Sequence, residues 1–243
     1  MVHIYYMRFD TSISDHEKDL YIQFLSEERR KRVLRIKSSK AALECMQTGL
    51  FLRYGLEKTG EKSLYQRVKV REDGKPYIRD SGVYFNLSHS GEYVMLMIAD
   101  SECGLDVQKQ VKDQERLAKR VMHREEYASY SAGASDEDKS ELLSWCWCAK
   151  EAFLKYKGTG IQYGMSNLNM VDFLLHSEVC HIGEMGNNIG VSCEILLDNM
   201  LFHMLRFQLH EEYYGTICMR EAFCLNIVEA ITIEQLFSHF NIK

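Results

Sequence analysis

Several short stretches of this chain hold side chains whose types and spacing suit work on phosphates and hard cations. The first runs Trp147-Cys-Ala-Lys-Glu151-Ala-Phe-Leu-Lys155 and continues Tyr-Lys-Gly-Thr-Gly160. On a helix, Glu151 and Lys155 are four apart and share a face, with Trp147 one turn earlier. The carboxylate can hold a hard cation, and the ammonium can neutralise an anion held by that cation. The same spacing also describes an ordinary exposed ion pair. The second stretch is Cys103-Gly-Leu-Asp106-Val-Gln108. In extended backbone Asp106 and Gln108 project oxygens to one side, a donor set that suits Mg²⁺ completed by waters and substrate phosphates. A strand-end aspartate in a turn is the alternative. The third is Asn86-Leu-Ser88-His89-Ser90-Gly91. Read as a tight turn, it offers several donors to a phosphate; it also reads as a polar turn entering a strand. A Ser88–His89 nucleophile pair is disfavoured, because adjacent residues seldom align as nucleophile and base and no G-x-S-x-G elbow is present.

Two further features are basic. In Gly74-Lys75-Pro76 the only proline of the chain biases Lys75 toward extended backbone, which would aim the lysine consistently. From Ser26 to Lys40 there are seven Lys or Arg, including Arg29 and Arg32, against Glu27 and Glu28. Such a run can receive phosphates, or it can be a solvated helix face.

The elements that must position these residues follow from periodicity. Val2 to Arg8 reads as a strand, His16 to Glu57 as helical with an N-cap at Ser26, and Tyr93 to Ala99 and Cys103 to Val107 as strands. Asp113 to Ser131 reads as helical. Ser135 caps a helix that runs to Lys157 and ends at Gly158 and Gly160. Its apolar positions are Leu142, Cys146, Ala149, Phe153 and Tyr156. Strands are expected over Leu168–Leu175, Cys193–Leu197, Phe202–Leu209, Tyr214–Met219 and Phe223–Val228. This order of strands and helices predicts an α+β protein of two halves packed side by side, 1–110 and 111–243.

Composition narrows the function. With 243 residues, 46% hydrophobic and 27% charged, the chain is long and apolar enough for a sizeable core. Its formal net charge of −5 excludes nucleic-acid binding by bulk positive charge. No apolar window nears the roughly 18 residues of a membrane span. The opening segment reads as a strand and lacks the features of a signal peptide. The eight cysteines include no C-x-x-C pair, and reduced, buried thiols in a cytoplasmic protein are expected.

Together, GKP (Gly74 to Pro76), NLSHS (Asn86 to Ser90), GLD (Gly104 to Asp106) and W-x-x-K-E-A-x-x-K-x-x-G-x-G (Trp147 to Gly160) resemble the Sfp-type 4′-phosphopantetheinyl transferases. The motifs span Gly74 to Gly160, with a looser likeness over Leu25 to Arg53. The resemblance implies a pseudo-dimer of two similar α/β halves with coenzyme A in the cleft between them. It implies transfer of the 4′-phosphopantetheine group of coenzyme A to a serine of an acyl or peptidyl carrier protein, with Mg²⁺ and release of adenosine 3′,5′-bisphosphate. The carrier could serve fatty-acid, polyketide or nonribosomal peptide synthesis.

By position, Asp106, Gln108 and Glu151 would hold Mg²⁺. Arg29, Arg32, Lys75, Pro76, Ser88 and His89 would hold the nucleotide. Glu151 would accept the serine proton, and Lys155 would bind and stabilise the pyrophosphate as it breaks. The chain departs from the family pattern at Gln108, often acidic there, and at Glu44, near a position often basic. A rim of Lys112, Arg116, Lys119 and Arg120 is expected to dock the carrier, and the chain is expected to be monomeric. The alternative is a non-catalytic module of the same fold that binds coenzyme A or a carrier protein.

Overall fold

The computed structural model describes residues 1–112, 114–160, 164–182, 193–240 and the backbone of 189–190. The first sheet is built from β4 (Tyr84–Ser90), β5 (Tyr93–Ala99), β1 (Val2–Arg8), β12 (Cys224–Ala230) and β8 (Ile189–Gly190), in that order. The second runs β6 (Cys103–Lys109), β11 (Tyr213–Met219), β10 (Met200–His210) and β7 (Val179–His181), with β9 (Cys193–Leu197) also paired to β10. A small antiparallel ribbon joins β2 (Val68–Val70) to β3 (Pro76–Ile78).

Strand alternation sorts the apolar side chains into three layers. Val2, Ile4, Met95 and Met97 of the first sheet meet Leu105, Val107, Leu205 and Ile217 of the second. On the outer face of the first sheet, Tyr5, Met7, Leu96 and Ile98 pack under α3 (Ser39–Lys58), with α1 (Asp15–Tyr21), α2 (Glu27–Arg35) and α8 (Ile233–His239) around it. On the outer face of the second, Phe202, Met204, Tyr214 and Cys218 pack under α6 (Asp136–Lys157). The order across the molecule is helix, sheet, sheet, helix. Each sheet draws on chain from across the 110/111 division: β6 lies in the second, and β12, parallel to β1, and β8 lie in the first.

The expected elements form with local differences. The long N-terminal helical region is broken into α1, α2 and α3, each entered through a serine cap at Ser14, Ser26 and Ser38. The segment read as helical from Asp113, itself outside the described residues, is two helices, α4 (Glu115–Val121) and α5 (Arg124–Ser131). Between them His123 starts the second helix with a capping box, Glu126 accepting its backbone N–H at 2.6 Å.

Two expectations are corrected. NLSHS is no turn but most of strand β4, and the turn begins only at Gly91. Leu168–Leu175 is not a strand: Val171–His176 is helix α7. Its Val-Asp-Phe-Leu-Leu composition suits either state, but Asn169 accepts the Val171 N–H at 3.1 Å and turns the chain, and Phe173 and Leu174 then bury together on the α6 side.

Candidate active site at the seam between the sheets

Alternation along β4 splits its motif into two jobs. Phe85 and Leu87 face the α3 layer. Asn86, Ser88 and Ser90 face the free edge of β6 and take its backbone N–H groups: Leu105 donates to Asn86 Oδ1 at 3.2 Å, Val107 to Ser88 Oγ at 3.1 Å and Lys109 to Ser90 Oγ at 3.0 Å. A ladder of side chains thus satisfies amides that an edge strand would leave bare. It also fixes the register of β6 against β4.

The other side of β6 is held by α6. Gly104 lies so close to the helix that a Cβ there would sit 1.9 Å from the Ala152 carbonyl oxygen and 2.7 Å from the Tyr156 nitrogen. Glycine is therefore required by contact alone. The helix starts at a capping box on Ser135 and ends at Gly158, whose φ of 75° suits a residue without Cβ.

This double clamp brings Asp106, Ser88, Glu151 and Lys155 together. The Lys155 ammonium donates to Asp106 Oδ1 at 2.6 Å and to Ser88 Oγ at 2.8 Å, and Ser88 Oγ–H donates to Asp106 Oδ1 at 2.7 Å. Asp106 is 5% exposed, and its Oδ2 is buried without a hydrogen-bond partner. Glu151, half-buried on the adjoining face of α6, has its carboxyl pushed up by burial and then by the Asp106 charge, against the pull of Lys155. A buried carboxylate oxygen without a hydrogen-bond partner, near a second carboxylate whose ionisation burial disfavours, is an arrangement that can receive a cation.

Among the described residues, no three His, Cys, Asp or Glu side chains converge as a complete metal cage. Two carboxylates fit Mg²⁺, which takes one or two from the protein and keeps the rest for water and phosphate. Gln108 shares the Asp106 face of β6, but its Nε2 donates to the Lys109 carbonyl at 2.9 Å, which ties the amide to its own strand.

The nucleotide candidates separate. Arg29 and Arg32 line a cavity of about 540 Å³ with an apolar wall that includes Leu52, Val68, Pro76 and Leu87. The close approach of α3 at Gly49, where a Cβ would meet Leu25 at 2.7 Å and Arg29 at 3.0 Å, holds α2 and its arginines in place. The ring of His89 stands edge-on to Phe9, with centroids 6.2 Å apart. Partial burial and the cations Lys155, Arg29 and Arg32 hold its pKa down, while Glu44 pulls it up. The charged groups that act on His89 are thus Lys155, Arg29, Arg32 and Glu44.

Ser88 and Lys75 are engaged differently from expectation. The Ser88 hydroxyl bonds Asp106, Lys155 and the β6 backbone, and so orders the carboxylate. Ser88 and His89, being neighbours in a strand, point to opposite faces and form no nucleophile–base pair. The Lys75 ammonium, expected at the nucleotide, lies 8% exposed among Glu102, Cys103 and Tyr156.

One pair went unread in the sequence. Lys150, inside the helix motif, and Glu126 are both fully buried and meet at 2.5 Å. Lys150 also donates to the Val121 carbonyl at 2.9 Å, and Glu126 accepts the Met170 N–H at 2.7 Å. The pair ties α4, α5 and the approach to α7 onto α6. A lysine on the core face of an otherwise apolar stripe was its available signal.

Parts of the chain are similar in sequence to known proteins. Residues 102–218, which hold β6, α6 and the strands packed on them, match the model of the 4′-phosphopantetheinyl transferase superfamily. The chain is 27% identical to 4′-phosphopantetheinyl transferase Sfp of Bacillus subtilis over 174 residues, covering 69% of this chain and 75% of that protein. It is 25% identical to 4′-phosphopantetheinyl transferase psf-1 of Bacillus pumilus, covering 70% of this chain and 67% of that one. A shorter match of 95 residues, 36% of this chain and 40% of the relative, is 36% identical to 4′-phosphopantetheinyl transferase HetI of a Nostoc species. The chain is similar to the Sfp-type enzymes, and its residues 102–218, which hold Asp106, Glu151 and Lys155, match the 4′-phosphopantetheinyl transferase superfamily.

Proposed function

We propose that this protein transfers the 4′-phosphopantetheine group of coenzyme A to a serine hydroxyl of an apo-carrier protein, with Mg²⁺ at Asp106 and Glu151. The observation that carries the metal assignment is the buried, unpartnered Oδ2 of Asp106 beside Glu151. Mg²⁺, when bound, neutralises the pyrophosphate and fixes its geometry. The two layered halves, each a sheet with a long outer helix, support the reading of a pseudo-dimer with its cleft along the β4–β6 seam.

The residues then divide the work. The cavity lined by Arg29 and Arg32 takes the adenosine bisphosphate end, the apolar wall meeting the base and the cations the phosphates. Lys155 lies where it can leave Asp106 Oδ1 for the bridging oxygen of the pyrophosphate, offsetting charge as the bond breaks. The carrier serine oxygen attacks the β-phosphorus of coenzyme A; its proton goes to the Glu151 carboxylate, directly or through a water, and adenosine 3′,5′-bisphosphate leaves. Positioning and charge neutralisation carry such transfers, and no covalent enzyme intermediate is required. Lys112, Arg116, Lys119 and Arg120 are exposed around α4 and suit an acidic carrier. No helix among the described residues is long and apolar enough to cross a membrane.

The test is incubation with fluorescent coenzyme A, Mg²⁺ and a panel of apo-carrier domains. Label should move to a carrier serine, and omission of Mg²⁺ should abolish the transfer. Mg²⁺-dependent binding of coenzyme A with no transfer to any carrier would establish the non-catalytic alternative in its place.

A further inference from the structure

The β2–β3 turn stands between the nucleotide cavity and the end of the catalytic helix. Gly74 and Pro76 line the cavity that holds Arg29 and Arg32. The residue between them sends its side chain the other way. The Lys75 ammonium donates to Glu102 Oε1 at 2.5 Å, to the Tyr156 carbonyl at 2.9 Å and to the Cys103 carbonyl at 3.3 Å, which accounts for its three N–H bonds.

Each partner has a place in the site. Tyr156 follows Lys155 directly, and its carbonyl lies in the last turn of α6, where helix carbonyls lack intrahelical donors. Cys103 begins β6, three residues before Asp106. The turn is itself braced: Asp73 Oδ1 accepts the Lys75 N–H at 2.9 Å, the Arg71 N–H donates to the Lys75 carbonyl at 2.9 Å, and Arg71 pairs with Glu102 at 3.2 Å. It also packs on the helix terminus, since a Cβ on Gly158 would meet Asp73 Oδ2 at 2.7 Å and Lys75 Cδ at 3.5 Å.

We propose that Lys75 is a positioning residue, not a phosphate ligand: its ammonium ties the end of α6 to the start of β6, so that the cavity wall and Lys155 move as one piece. The inference rests on the transferase reading above. A side chain that holds Lys155 within hydrogen-bond distance of Ser88 and Asp106 acts on the chemical step. A phosphate ligand would act on substrate affinity.

The experiment compares wild type, Lys75→Met, Glu102→Gln and the double variant in transfer from coenzyme A, with amide exchange on the free proteins. Glu102 touches neither the cavity nor the Asp106 cluster, so Glu102→Gln perturbs the tie, together with the Arg71 brace of the same turn, without touching the site, and decides the matter if Lys75→Met does not fold. For Lys75→Met, kcat should fall by roughly tenfold or more, a displacement of about 1 Å costing up to about a hundredfold, with KM for coenzyme A changed less than about twofold. Glu102→Gln should lower kcat in the same way by a smaller factor, and the double variant should be no worse than Lys75→Met, because the two changes break one network. Amides 154–158 should exchange faster in each variant.

A rise in KM exceeding the fall in kcat, kinetics unchanged in Glu102→Gln, or unaltered exchange at 154–158 would overturn the assignment. If wild type itself transfers nothing, the transferase reading fails, while the exchange measurement still decides whether Lys75 holds the helix end.

Discussion

Replacing Gly104 with alanine puts the smallest possible side chain at the tightest contact in the site. Its Cβ would lie 1.9 Å from the Ala152 carbonyl oxygen, on helix backbone that cannot rotate away. Carbon and oxygen settle at about 3.3 Å or more, so α6 and β6 must part by roughly 1.4 Å. The Lys155–Asp106 contact, now 2.6 Å, would then open to about 4 Å, beyond hydrogen-bond range. Overpacking of this kind costs about 1–3 kcal/mol of stability, and a misplacement of about 1 Å costs about a hundredfold in rate. The expected outcome for Gly104→Ala is a folded protein with a lowered melting temperature and kcat for carrier labelling about two orders of magnitude down. The assay is continuous transfer from fluorescent coenzyme A alongside thermal unfolding by circular dichroism. Wild-type kcat in a variant of unchanged stability would refute the claim that contact between β6 and α6 sets the geometry of Asp106 and Lys155.

Three other perturbations probe separate parts of the site. Glu151→Gln should cut transfer at least about a hundredfold yet raise the melting temperature at neutral pH. The folded-state pKa of Glu151 lies above its unfolded value, so ionising it costs stability as pH rises past the ordinary glutamate range. The gain should vanish below that range, and a pH series of melting curves checks it. Lys150→Met leaves Glu126 buried without its cation and should cost about 3–5 kcal/mol in chemical denaturation; a loss below about 1 kcal/mol would show that the pair is not a structural tie. Coenzyme A affinity should fall steeply between low and moderate salt, where screening acts over about 8 Å. That dependence should be shallower in Arg32→Gln, and calorimetry showing equal slopes would remove Arg32 from the phosphate contacts.

Local chemistry made much of this legible in sequence. Ser135 and Gly158 bracket α6 because caps act on the residues beside them, and Val2–Arg8 forms the expected strand. Asp106 and Glu151 were readable as a motif, and the fold brings them together. What escaped depends on partners distant in the chain. NLSHS looks like a turn because its polar side chains seem destined for solvent or a ligand; nothing local says that alternate ones will bond the amides of another strand. The same holds for Lys75, whose length and charge suit a phosphate as well as the Tyr156 carbonyl. Lys150 was hidden within a motif whose other members face the site, and its partner Glu126 lies in a different helix.

The parallel pairing of β1 with β12 has a kinetic consequence. Val2 lies opposite Leu225 and Tyr6 opposite Ala230, so β1 is flanked by β5 on one side and by a strand more than two hundred residues later on the other. Contacts of such sequence separation form slowly, because a long loop must close before any of them is gained. During synthesis β1 and β5 can pair early, while the other flank of β1 stays open until the ribosome has released β12. Throughout that interval the apolar residues Val2, Ile4 and Met7 belong to a sheet with a bare edge, a template for pairing with another nascent chain. β12 thus acts as the stopper of the first sheet, closing the flank of β1 that stays bare until the end of synthesis.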